Sequence, residues 1–233
     1  MVTALRWLLL VPILSSSAFT SSSCHRLVKR SGSPYDFDLH TTRTAASSTD
    51  STTVWDRATL DTFASQQGVV LSLTTLGPGF RGIARSKHNE TQILGYVEGF
   101  VRPSNTILHL DKMEVFRKMV TAARKENPDE FKGGGSVFGV GLLVGYLCLL
   151  HGMEQGCSVA EFLAIDDEDY QHKRLVRYYK NAGFKVIKYV GDDWRDVPDR
   201  LVWGGCGTLL RQDMDPLLDK WTRILTRAKR PKK

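Results

Sequence analysis

The feature that most constrains the fold is the stretch GSVFGVGLLVGYLCLLHG at residues 135–152, where the run from Val137 to Leu150 carries no charge. Three readings compete: a membrane segment, a buried helix, or a helix whose glycine-rich entrance holds a phosphate. A spanning helix needs about 20 apolar residues, and His151 and Glu154 close this run early. Gly139, Gly141, Gly145 and Tyr146 also fall inside it. The mature chain is therefore expected to have no membrane span, and this stretch is read as a buried helix with a flexible entrance.

The length of 233 residues with 42% hydrophobic content allows one domain with a proper core. The net charge of +7 is partly a basic tail, RAKRPKK, at the C-terminus. Such a tail reads as a solvated end, with nucleic acid or an acidic partner as the weaker alternative. Cys24, Cys148, Cys157 and Cys206 show neither metal-ligand spacing nor a disulfide framework, which favours a reducing compartment.

Residues 1–18 have the layout of a signal peptide: a charged start at Arg6, an apolar stretch from Trp7 to Leu14, then small residues. Residues 19–52 are rich in Ser and Thr, basic and poor in acids, as in a transit peptide. In that order, with Phe19 after SSSA, the segment resembles the bipartite presequence of algae with complex plastids. A plastid is the implied destination, and secretion the alternative.

The domain is placed at 53–228, with residues 229–233 as the basic tail. VWDRATLDTFASQQG predicts a helix ending at Gly68. VVLSLTTL, FRGIARS, TQILGYVEGFV and TILHLDKMEVF predict an antiparallel meander separated by turn residues. The charged stretch from Lys118 to Lys132, broken by Pro128, reads as an exposed insertion. Thereafter the chain alternates helix (141–156), strand (159–165), helix (DEDYQHKRLVRYYKNAGF), strands KVIKYV and RLVWGG, and a last helix from Pro216. Leu175, Tyr178, Tyr179 and Ala182 form one stripe at helical spacing. The expected class is α/β (α+β), with a mixed, largely antiparallel sheet flanked by helices.

An antiparallel start, then G-x-G opening a long helix, a strand, and a second helix ending YYKNAGF resembles the GNAT superfamily of acyl-CoA-dependent N-acyltransferases. The resemblance is strongest from Gly135 to Val190. It implies transfer of an acetyl group from acetyl-CoA, as co-substrate, to an amine acceptor, with no metal. A catalytically silent binding module on the same fold is the alternative.

Backbone N–H groups at a helix entrance can hold a pyrophosphate only where no side chain intervenes. The matching loop here is Ser136, Val137, Phe138, Gly139, Val140 and Gly141. Ser136 stands where the family has Gln or Arg. The family's LYxxxGF aligns on Tyr178 and Tyr179, which implies Tyr179 as general acid to the departing thiolate. His172 stands where the family commonly has an asparagine near the cofactor. Glu98, Asp111 and Glu114 lie on strands facing the acceptor as candidate bases, Glu98 being the one carried forward as catalytic. The acids 166–169 read as helix caps, Cys206 as a turn residue, and His109 and His151 as structural histidines.

Overall fold

The computed structural model describes residues 54–131 and 135–228. The presequence and the basic tail lie outside these residues.

Helix α1 (Arg57–Gln66) is started by Asp56, whose carboxylate accepts the Thr59 N–H at 2.8 Å. Four strands follow: β1 (Val69–Leu76), β2 (Gly79–Ser86), β3 (Ile93–Val101) and β4 (Ile107–Val115). After helices α2 (Arg117–Glu126) and α3 (Val137–Glu154) come β5 (Val159–Ile165), α4 (Asp169–Ala182) and β6 (Lys185–Val190). A 3-10 turn at Trp194–Asp196 leads into α5 (Val197–Trp203), then β7 (Gly207–Asp213) and α6 (Met214–Ala228).

The strands form one sheet in the order β1-β2-β3-β4-β5-β7-β6. Strands β1 to β4 are an antiparallel meander, β4 and β5 are parallel, and β5, β7 and β6 are again antiparallel. The protein is thus a mixed, largely antiparallel sheet flanked by helices.

Alternate residues of a strand face opposite sides, and β5 shows what lies on each. Ala160, Phe162 and Ala164 join the main core with α1, α3 and α6, while Leu163 joins a smaller cluster with Val190, Trp203 and Leu209 beneath α5. Helix α3 is the axis of the main core. It is long and apolar enough to cross a membrane by length and composition, yet two-thirds of it is buried inside the protein. A helix apolar all round needs cover on every side, and close approach supplies it: a Cβ at Gly145 would lie 3.0 Å from the Trp221 ring of α6.

Three expectations need correction. The stretch from Lys118 to Lys132 is not an exposed insertion; it holds most of α2, with Val120 and Ala123 buried, and Phe131 behind it is fully buried. A helix so rich in charge shows its two-residue apolar contact only faintly in sequence. RLVWGG is not a strand: Leu201 to Trp203 close α5, and the strand begins at Gly207. A short apolar triplet between turn residues fits either element. Leu175 is not core; it is 37% exposed, while Tyr179 and Ala182 are buried.

Candidate active site

The site forms where two strands part. Strands β4 and β5 pair only over Ile107–Leu110 and Val159–Phe162. Beyond that, β5 stays with β7, Leu163 opposite Leu209, while β4 stays with β3. The register of β4 on β3 slips at the same place. Glu98 faces Lys112 and Gly99 faces Leu110, so Asp111 is an extra residue, a β-bulge.

Past Leu110 the main chain of β4 therefore has no strand partner on the β5 side. The gap is a cleft of about 330 Å³. Asp111, Lys112 and Met113 line it from β4, Phe162 and Leu163 from β5, and Tyr179 from α4. A larger groove, about 470 Å³, lies beside Trp55 and Thr226. No titratable side chain lines that groove, so the cleft between the strands is the site with chemistry in it.

Tyr179 is 4% exposed, and its ring lies 4.1 Å from that of Phe162 and 5.4 Å from that of Tyr178. Burial, with the neighbouring Tyr178 phenol adding to it, holds its hydroxyl far above the ordinary value of 10. The phenol is protonated at neutral pH. Burial lifts thiols in the same direction: Cys148, fully buried, is pushed up to about 12.

The entrance of α3 adjoins this cleft. Ser136 is the N-cap, its hydroxyl accepting the Gly139 N–H at 3.0 Å, and Val140 donates to the Ser136 carbonyl at 2.8 Å. Helix geometry leaves the Val137 and Phe138 N–H groups without an intrahelical acceptor. Gly141 faces α4, because a Cβ there would lie 2.6 Å from the Tyr178 Oη and 3.4 Å from Val115. The Phe138 ring meets Tyr178 edge-on at 5.4 Å. Tyr178 and Val115 therefore fill the space at the first turns of α3.

Three other sequence candidates lie elsewhere. His172 holds α4 to the sheet: its Nδ1 is 3.2 Å from the Ile165 carbonyl and its Nε2 3.1 Å from the Thr208 hydroxyl. It does not line the cleft. Glu98 forms an ion pair with Arg81 on the neighbouring strand and is also absent from the cleft lining. Glu114 accepts from the Tyr96 hydroxyl at 3.0 Å.

Of the three strand acids, Asp111 alone reaches the cleft. Sequence reasoning gave it no preference because a bulge has no signature in LHLDKMEV. Among the described residues no group of three potential metal ligands occurs.

Compared with known proteins, the sequence matches no family model and no curated protein. Solved structures do resemble it. An acetyltransferase of the GNAT family from Staphylococcus aureus Mu50 is 18% identical, over 59% of this chain and 68% of that one, with a TM-score of 0.39. Ard1 from Thermoplasma volcanium is 14% identical over 71% and 84%, with a TM-score of 0.36. An aminoglycoside 6'-N-acetyltransferase complexed with coenzyme A is 12% identical over 59% and 73%, with a TM-score of 0.33.

Proposed function

We propose that this protein is an acyl-CoA-dependent N-acyltransferase that moves an acetyl group to an amine. The observation that carries this reading is the cleft opened by the parting of β4 and β5, with Tyr179 in its lining and the entrance of α3 alongside. An extended amide-bearing arm can pair with the unpartnered main chain of β4 as another strand would. A pyrophosphate can meet the N–H groups of Val137 and Phe138.

The fit of acyl-CoA to these residues is good at the cleft and narrower at the helix. The Gly139 N–H is engaged by Ser136, and the space at Gly141 is filled by Tyr178. Bound acyl-CoA supplies an activated thioester. The chain's own residues then do three things. The β4 backbone at the bulge orients and polarises the carbonyl, the apolar walls at Met113, Phe162 and Leu163 exclude water, and Tyr179 returns a proton to the departing sulfur.

Calorimetry of the domain with acetyl-CoA and with free coenzyme A, followed by thiol release across a panel of polyamines, aminoglycosides and peptide N-termini, tests the reading. Binding with turnover on any amine supports it. The filled space at Gly141 favours a second reading, a non-catalytic binding module, and tight binding with no turnover on the whole panel would select it. Import into a plastid through residues 1–52 belongs to the same proposal. A fluorescent fusion should enter the plastid and Phe19→Ala should keep it out; equal import of the two would remove the argument from Phe19.

A further inference from the structure

His109 sits where a histidine has little to gain from packing alone. Its side chain is wholly buried between two flat rings, Phe100 at 4.2 Å and Trp203 at 3.7 Å, both stacked. Neither ring nitrogen has a hydrogen-bond partner. A buried polar group left unpaired costs about 1–3 kcal/mol, and a phenyl ring would fill the same slot without that cost.

The charged groups around it decide what the imidazole can serve. Glu161 is held by Arg102 at 2.8 Å and by Arg211, and Arg102 also lies over the Trp203 ring. That carboxylate is already neutralised. The Asp111 carboxylate lies 3.9 Å from His109 Nε2. Lys112 stands beside it, and Asp167 and Glu168 line the same cleft. Asp111 is the bulge residue, its side chain 59% exposed, and it lines the same cleft as Tyr179.

We propose that Asp111 and His109 act as one unit that takes the proton of the acceptor amine. Asp111 meets the ammonium in the cleft, and His109 is the positioning residue that holds the carboxylate and receives its proton. The proposal rests on the acyltransferase reading.

One ammonium proton passes to the Asp111 carboxylate and on to His109 Nε2. The freed nitrogen lone pair forms the N–C bond at the thioester carbonyl and the C–S bond breaks. The sulfur takes the Tyr179 proton, and a second proton from the attacking nitrogen restores Tyr179. His109 then returns its proton to solvent through the exposed Asp111 carboxylate. The neighbouring His109 imidazole holds the Asp111 carboxyl below the usual carboxylate range, so Asp111 attracts an ammonium throughout the neutral range.

The test uses Asp111→Asn, which alters an exposed side chain, and His109→Phe, which keeps a flat ring in the stack. At pH 7 each should lower kcat/KM for the amine about a hundredfold while leaving acetyl-CoA affinity unchanged. The double variant should be no worse than Asp111→Asn alone, as for residues that act as a unit. Both losses should shrink as pH rises past the amine's own pKa, because the free amine then needs no base.

A folded His109→Phe protein that keeps the wild-type pH profile, or a loss equal at every pH, would overturn the proposal. A second measurement needs no turnover: the Nε2 resonance of His109 in the imidazole NMR spectrum should change in Asp111→Asn, because the carboxylate lies beside that nitrogen. An unchanged resonance overturns the pair. Absence of coenzyme A binding and of transfer to any amine, with the resonance still sensitive to Asp111→Asn, would instead sink the acyltransferase reading.

Discussion

At Gly141 one absent side chain joins two helices. A Cβ there would lie 2.6 Å from the Tyr178 Oη but 3.9 Å from the ring carbon that bears it. Gly141→Ala should therefore destabilise by about 1–2 kcal/mol, as overpacking does. In a Tyr178→Phe background the contact is an ordinary one, and alanine's better helix propensity should show instead. The two changes should couple by about 1 kcal/mol in a double-mutant cycle read from urea midpoints; additive effects would mean that the phenol does not occupy this space.

Tyr179 gives the sharper functional test. Tyr179→Phe removes a hydroxyl and leaves the ring on Phe162, so stability and acyl-CoA affinity should hold while turnover falls about a hundredfold. Normal turnover would take the acid role from Tyr179. Its burial was legible in the spacing of Leu175, Tyr178, Tyr179 and Ala182, because a helical stripe is a local pattern. The role of His172 was not, since its partners at Ile165 and Thr208 come together only when α4 docks on the sheet.

Among the elements, those with strong internal periodicity read true, and those defined by one or two contacts did not. The seven residues VAEFLAI are β5, with β7 on one side along the whole strand and β4 beside its first half. Helix α2 hid because its buried residues, Val120 and Ala123, are two small positions in a run of charge. The entrance of α3 was readable as a phosphate loop, but Ser136 proves to be the helix cap.

That cap is testable. Ser136→Ala should cost about 1 kcal/mol, seen as a lower denaturant midpoint at unchanged slope. If a phosphate of coenzyme A reaches the Gly139 N–H, saturating ligand should reduce that cost, because the phosphate oxygen replaces the lost hydroxyl. Equal losses with and without coenzyme A would place the phosphates elsewhere.

For the molecule as a whole, a meander joined to alternating helices and strands in a mixed sheet was visible in the sequence, whereas the place of β7 between β5 and β6 was not. The parting of β4 from β5 was not, because it depends on where pairing stops and on the bulge at Asp111. Among the described residues one helix, α1, precedes β1, and β1 returns directly into β2 through Gly77 and Pro78.

Tyrosines of α3 and α4 whose phenols are shielded from water tie this architecture to pH. Burial pushes the Tyr178 phenol up to about 12, and those of Tyr179 and Tyr146 also upward. Below the unfolded value of about 10 both folded and unfolded chains hold these protons, and stability does not depend on them. Between about 10 and 12 the unfolded chain loses protons that the folded chain keeps, so stability must fall as pH rises. The Tyr178 share is at most about 3 kcal/mol. Urea midpoints followed with tyrosinate absorbance should show a steep alkaline decline, and Tyr178→Phe should flatten it without changing the midpoint near neutrality by more than the lost hydroxyl requires. An alkaline slope identical in the two proteins would mean that the Tyr178 phenol is solvated, and that α3 and α4 are not closed over it in solution.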